Sequence, residues 1–435
     1  MERTKKKCGV LYLRLKHICR NLTVHGPSFL ARRDIAFIYK FIYFIIYVQV
    51  WIVAVATIVK YYATYQENTI RFTTRTDYLH WNTTFPSITV CEIADTHSFI
   101  LDESKGGKII PPVLIKEIIF FNGICSTCAH SFENLSLNVV DIKRKLANYR
   151  SDCQNIFYKC QWNSQNMNCC NVFKPVVTEY GICFTINNMQ VPGHSLYVTH
   201  KFNPDIMTIS LSKNCEAFLH STEDIPFYNM EYDRRISIKN GEKSTMIFSI
   251  TDIVNEPEVS LMPPYERRCR FPQELPPNFH AFQKYSYSAC IIQCRIMTQI
   301  ELCNCTPHTS PSIYEEIYCD LKGLKCLTEF YSKVTKLKIP GTNETGLNCD
   351  CLPSCIESDY NIVVKKVKES RTMQRGGQII FKLSNKPYER ITRQVARTAL
   401  DLVIAMGNCF GLCFGGSLLS VAEIIYYVCL RRWKH

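Results

Sequence analysis

Residues 41–59 read FIYFIIYVQVWIVAVATIV, a run without a charge between Lys40 and Lys60. At 1.5 Å of rise per residue a helix over this run is about 28 Å long, close to the hydrocarbon thickness of a bilayer. A helix of a soluble protein normally shows a polar face, and only Gln49 and Thr57 interrupt this one. The run starts far from the N-terminus and has no small-residue cleavage site, which argues against a signal peptide. We assign a transmembrane helix to 41–62.

A second uncharged run extends from Leu402 to Ala422, and past Glu423 the chain stays apolar to Leu430. It is assigned as a second transmembrane helix, 401–430. The formal net charge of +13 concentrates outside these runs. The first forty residues hold ten Lys/Arg against Glu2 and Asp34, and Arg431, Arg432 and Lys434 follow the second run. Basic residues thus flank both runs on the side away from the chain centre, which places both tails, 1–40 and 431–435, in the cytosol. Charge divided between two tails also argues against nucleic acid, whose partners carry a basic patch on a folded surface.

The segment 63–400 must then lie outside the cell, and the cysteines test this independently. Nineteen of the 24, Cys91 to Cys355, fall within it, as an oxidising compartment explains. Glycosylation sequons at Asn82, Asn134, Asn304 and Asn343 agree with that side. Asn21 also heads a sequon but lies on the cytosolic side and is expected to stay bare. Alternation and β-branched content predict strands over 83–92, 181–188, 358–364 and 377–383, and 138–149 is expected to be a helix. The fold class is therefore a membrane α+β protein: two transmembrane helices flanking a large disulfide-rich extracellular α+β domain.

Ten cysteines lie between 269 and 355, which allows about nine hundred pairings. Spacing narrows them. Cys290 and Cys294 sit at i and i+4 of a helical stretch, on one face and about 6 Å apart. Cys349 and Cys351 sit at i and i+2 of an extended one, about 6.6 Å apart. A helix laid antiparallel to that segment can join Cys290–Cys351 and Cys294–Cys349, with Cys269–Cys355 outside and Cys303–Cys326 and Cys305–Cys319 inside. A nested ladder of this kind is a stiff rod, suited to carrying force or a ligand signal towards the membrane. Zinc held by Cys-x-Cys pairs is the competing reading, disfavoured outside the cell without clustered histidines; no metal is assigned. Of the remaining cysteines, Cys91 is expected to reach Cys183. Only one of the adjacent Cys169 and Cys170 is expected to pair locally, with Cys160. One thiol of the nineteen is left over, free or linking two chains.

The second run has its own pattern. Gly407, Gly411 and Gly415 recur every fourth residue, followed by Gly416 and Ser417. Such a stripe serves helix packing. Gly415-Gly416-Ser417 can also unwind and present carbonyls and a hydroxyl to a path lined by water. Glu423, ionisable within an apolar run, points the same way. One helix cannot enclose a hole, so a pore requires an oligomer.

With these motifs in hand the sequence resembles the degenerin/epithelial sodium channel family and, within it, pickpocket-type subunits. The resemblance rests on Thr23-Val24-His25-Gly26, FPSITVC (85–91), YGICFTIN (180–187), CDCLPSC (349–355) and GLCFGGSLLSVAEIIYY (411–427). It implies a trimer of two-span subunits at the plasma membrane, a homotrimer or a heterotrimer with sibling subunits. The ectodomain would be hand-like, with finger, thumb, palm, knuckle and β-ball; 92–180 would be finger-like, the ladder 269–355 the thumb, and the strands named above palm-like. Gly415, Gly416 and Ser417 would be the selectivity filter favouring sodium, with Gly407, Gly411 and Glu423 pore-associated. His25 and Gly26 would affect gating, and block by amiloride-type compounds follows from membership. No cofactor is implied beyond the permeant Na⁺. The family's small "degenerin" position falls on Ile404, where a branched side chain would oppose tight closure; a lipid-facing Ile is the alternative.

The function so implied is a subunit of a sodium-selective, voltage-independent, amiloride-sensitive cation channel, gated by an extracellular chemical or mechanical stimulus in sensory or epithelial cells. The alternatives are an ATP-gated-type cation channel and a two-pass scavenger or adhesion receptor. The former family lacks this ladder and the Gly-x-Ser motif. In the latter, glycines and a Glu inside the second run would have no use. An ectoenzyme is disfavoured, since no nucleophile–base motif or metal-ligand spacing is evident and no catalytic residue is assigned. Nothing in 92–180 names the stimulus.

Overall fold

The computed structural model describes residues 18–21, 23–32, 34–67, 69–94, 112–129, 150–193, 195–199, 205–339, 341–342, 345–356, 358–369 and 376–427. The expected helix at 138–149, the sequons at Asn134 and Asn343 and the tail 431–435 lie outside these residues. The chain divides into two compact units, Met1–Arg71 with Gln394–His435, and Phe72–Arg393.

The larger unit is α+β. One sheet is antiparallel, in the order β11 (Arg235–Ile238), β10 (Cys215–His220), β3 (Ser87–Glu92), β7 (Gly181–Ile186), β6 (Lys174–Thr178). A mixed eight-stranded sheet centres on the long β12 (Glu242–Asn255). There β13 (Asp359–Glu369) runs antiparallel along β12, while β14 (Gly377–Leu383) and then β15 (Arg390–Val395) run parallel to it. β9 (Ile206–Leu211), β4 (Phe157–Trp162) and β5 (Gln165–Met167) continue beyond β14, and β1 (Ile70–Arg75) lies beyond β15. Ile88 and Leu219 from one sheet, Ile209, Met246, Phe248 and Phe381 from the other, and Phe85 just before β3 belong to a single buried cluster. Successive residues of β12 alternate buried and half-buried along most of its length, as a period-two strand with one face in a core requires.

Two expected strands change their bounds for identifiable reasons. The stretch 83–92 is interrupted: β2 (Asn82–Thr84) pairs with β8 (Tyr197–Thr199), and β3 begins only at Ser87. Pro86 between them has no N–H for a ladder. β7 stops at Ile186 because Asn187 turns to φ 60°; its side chain then accepts the Leu196 N–H at 2.9 Å. β13 reaches Glu369, beyond the expected 364, and β14 occupies 377–383.

The cysteine-dense block is built on one helix, Tyr287–Cys303, capped by Ser286, whose hydroxyl accepts the Ala289 N–H. Cys290 and Cys294 on its face are bonded to Cys351 and Cys349. Cys269–Cys355 closes one end of the block, and Cys303–Cys326 and Cys305–Cys319 the other. Cys91 is bonded to Cys183, across two neighbouring strands. The smaller bridges correct the sequence reading. Both adjacent cysteines pair locally, Cys153–Cys170 and Cys160–Cys169, because a short helix at Cys169–Val172 turns the two side chains to different partners. Cys125 joins Cys128. The leftover thiol is Cys215, fully buried on β10 and so unable to link two chains.

A charged side chain also anchors the long helix. Arg295, 1% exposed, pairs with the buried Glu179 and bonds to the Asn229 side chain. Its Nε donates to the Val334 carbonyl at 3.0 Å. Glu179 in turn accepts the Tyr228 N–H at 2.7 Å. A buried ion pair of this kind stands because each partner's remaining valences are met.

Candidate functional site

The smaller unit contains α1 (Phe37–Glu67), a 31-residue helix with mean hydropathy 2.3 over its most apolar window. It overshoots the expected 41–62 at both ends, taking in Lys40 on one side and Glu67 on the other. It is long and apolar enough to cross a membrane. The second apolar run is not one helix. α2 (Ala399–Phe414) and α3 (Leu418–Ile425) are bent by 76° at a break over residues 415–417.

The sequence dictates that break. Gly415 takes φ 59°, the left-handed C-cap that glycine adopts without a Cβ penalty. Ser417 then starts α3: its hydroxyl accepts the Ser420 N–H at 3.3 Å, and Ser420 Oγ accepts the Ser417 N–H at 3.2 Å. This is a reciprocal N-terminal cap. At the other end, Thr398 and Asp401 cap α2 in the same manner. The last carbonyls of α2 have no helical partner and carry the negative end of its dipole. A cation is the ion that such an end stabilises.

The N-terminal segment completes the break. The His25 N–H donates to the Phe414 carbonyl at 2.8 Å, and His25 Nδ1 lies 3.2 Å from the same oxygen. A Cβ on Gly415 would overlap the His25 ring. Gly26, at φ 114°, lies so close to Tyr47 of α1 that any side chain there would meet its ring. Thr23 binds further along: its N–H and hydroxyl both donate to Glu423 Oε2, at 3.2 and 2.8 Å, and its Oγ1 lies 3.0 Å from Ser420 Oγ. Phe414, 2% exposed, packs among Val24, Ala54, Tyr47 and Phe410, with the Trp51 ring 4.4 Å away.

The sequence-predicted residues are therefore distributed unevenly. His25, Gly26, Gly415, Gly416, Ser417 and Glu423 gather around the break, the last with its carboxylate turned to Thr23. Gly407 and Ile404 do not join them. A Cβ on Gly407 would meet nothing within 4 Å, and one on Gly411 only the Gly416 carbonyl at 3.6 Å. Ile404 is half exposed. The glycine stripe therefore does not serve packing of α2 against α1 within this chain; Cys409 does that, its Sγ 3.8 Å from the Ala54 carbonyl. Sequence reasoning missed Thr23 and Ser420, polar residues whose role depends on partners about 400 positions away. The one available signal was a small hydroxyl residue immediately before Val24-His25-Gly26.

Outside this unit, Asn82 on β2 is exposed, with its sequon complete at Thr84. Asn304 caps the long cysteine-bearing helix at φ 53°, but its sequon partner Thr306 is buried and donates to Gln299 Oε1 at 2.9 Å. Among the described residues no group of three or more His, Cys, Asp or Glu forms a metal site.

Comparison with known proteins identifies relatives along most of the chain. A family model described as "Amiloride-sensitive sodium channel" matches residues 18–427. Sodium channel protein Nach of Drosophila ananassae is 23% identical over 456 residues, covering 95% of this chain and 86% of that protein. Pickpocket protein 11 of Drosophila melanogaster is 26% identical over 296 residues, covering 62% of this chain and 54% of that one. The human bile acid-sensitive ion channel is 26% identical over 285 residues, 59% of this chain and 54% of its own.

Proposed function

The chain belongs to the amiloride-sensitive sodium channel family, a family of ion channels rather than enzymes, and on that premise we propose how this subunit selects sodium. It is a sodium-selective channel subunit of the plasma membrane. Our reading is that α1 and the α2–α3 pair each cross the bilayer, with both termini cytosolic, and that three subunits surround one aqueous path. The subunits are either three copies or a mixture with siblings. The observation that carries this reading is the break at Gly415-Gly416-Ser417 between two capped helices. Irregular backbone at membrane depth is tolerated only where protein or water covers it.

At that break a sodium ion meets the carbonyl end of α2 and the Ser417 hydroxyl. Repeated around a symmetry axis, these oxygens replace part of its hydration shell. A narrow ring of fixed oxygens favours the smaller ion. His25 and Gly26 hold the break from the cytosolic side and couple it to α1 through Tyr47. Block by amiloride-type compounds and an extracellular stimulus for opening follow from the family. The glycine stripe left open on α2 suits the approach of a second copy.

Expression in oocytes, alone and with sibling subunits, tests this directly. Exchanging external sodium for potassium is expected to shift the reversal potential, and amiloride to remove the current. A subunit that reaches the surface and lacks sodium current in every combination would overturn the reading.

A further inference from the structure

We propose that Thr23 is the acceptor of a basophilic protein kinase, and that its phosphorylation releases residues 23–26 from the break between α2 and α3. The inference rests on the cytosolic placement of the N-terminal segment given above. Thr23 stands three residues after Arg20 in a stretch that also contains Arg14, Lys16 and His17, the spacing that Arg-directed kinases read by pairing that side chain with acidic residues of their own. Arg20 and Thr23 are both exposed.

The geometry around Thr23 makes the consequence specific. The hydroxyl is a donor where it now sits, giving its proton to Glu423 Oε2 at 2.8 Å, while the Thr23 N–H gives a second to the same oxygen. In phosphoryl transfer the Oγ1–H bond breaks and an Oγ1–P bond forms. The bond from the γ-phosphorus to the β–γ bridging oxygen of ATP breaks, ADP leaves with that electron pair, and the proton passes through the kinase's base to solvent. Oγ1 then has nothing to donate. The phosphate brings about −1.5 to −2 of charge and further acceptor oxygens against a carboxylate. No donor replaces the lost one at Glu423, so the contact turns repulsive. The kinase takes the segment in its released form, and the phosphate keeps it released, as any group that binds one of two states shifts the balance between them. Since His25 follows by two residues, its two contacts to Phe414 open with it.

The test uses the full-length chain in membrane vesicles with the cytosolic face outward. A purified Arg-directed kinase and ATP are added, and peptides are analysed by mass spectrometry. Phosphate is expected on Thr23, retained in Thr23→Ser and absent in Thr23→Ala. Amide hydrogen exchange over 23–26, read on the unsubstituted chain, is expected to rise about tenfold or more on phosphorylation. In Glu423→Gln the amide can donate to the phosphate, and the rise is expected to be smaller. Absence of phosphate from Thr23 overturns the site, and phosphate with unchanged exchange overturns the release. Phosphate found only in vesicles of the opposite orientation would support the site while contradicting the topology on which the proposed function rests.

Discussion

The backbone N–H of His25 donates to the carbonyl of Phe414 at 2.8 Å, joining residues 389 positions apart. That carbonyl is one of those the end of α2 leaves without a helical partner. A segment outside both long helices therefore completes the hydrogen bonding of the break, and changes at either end should be felt at the other.

Gly415→Ala tests this coupling. Its left-handed backbone costs a side chain about 1–2 kcal/mol, and the added methyl would overlap the His25 ring. Sodium current at matched surface expression should fall by about tenfold, the equivalent of about 1.4 kcal/mol. Whole-cell current normalised to surface biotinylation reads this out.

The Arg295–Glu179 pair is expected to behave as a buried pair whose halves cannot be removed singly. Arg295→Met leaves the Glu179 carboxylate buried and should cost about 3–5 kcal/mol, whereas Glu179→Leu with Arg295→Met should cost much less. Thermal unfolding of the detergent-solubilised chain should rank the two in that order. The reverse ranking would show that the pair adds net stability.

Cys294→Ser and Cys349→Ser each open one rung of the ladder and should lower stability by about 2–4 kcal/mol. The double substitution should be no worse than either alone. Cys215→Ala should leave the chain folded and unchanged in non-reducing electrophoresis, because that thiol is buried and bonded to no other cysteine.

His220 gives the ectodomain an acid-side weakness. It is buried on β10 with Nδ1 2.9 Å from the Ser221 carbonyl and Nε2 2.7 Å from Thr89 Oγ1. Burial holds its pKa down to about 4; the positive charge of Arg234 adds to this, and the Ser221 carbonyl opposes it. The unfolded chain binds the proton near pH 6.5, the folded one only near 4. The stabilising contribution is therefore complete above about pH 6.5 and declines as pH falls towards 4, by about 3 kcal/mol in all. His220→Gln should flatten that part of the pH dependence of the melting temperature.

Much of this was legible in the sequence because each signal was local. Nineteen uncharged residues define α1, and a helical Cys290/Cys294 pair faces an extended Cys349/Cys351 pair by spacing alone. Gly415-Gly416-Ser417 marks the interruption of the second run by its own backbone chemistry. What escaped depends on distance in sequence. Nothing local in Cys153 or Cys160 tells which of Cys169 and Cys170 each will meet, since a single helical turn decides it. Thr23 and Ser420 are ordinary hydroxyl residues until the fold brings them to 3.0 Å. Glu423 has no visible partner within its apolar run, because the Thr23 hydroxyl that donates to it lies near the other end of the chain.

The most direct test of the central claim is the sodium-to-potassium permeability ratio of channels carrying Ser417→Ala or a bulkier residue, from reversal potentials at matched surface expression. If the step at 415–417 is where sodium sheds part of its water, the ratio should fall towards one while the subunit still assembles. An unchanged ratio with full current would contradict the account, because the ion would then be selected somewhere else.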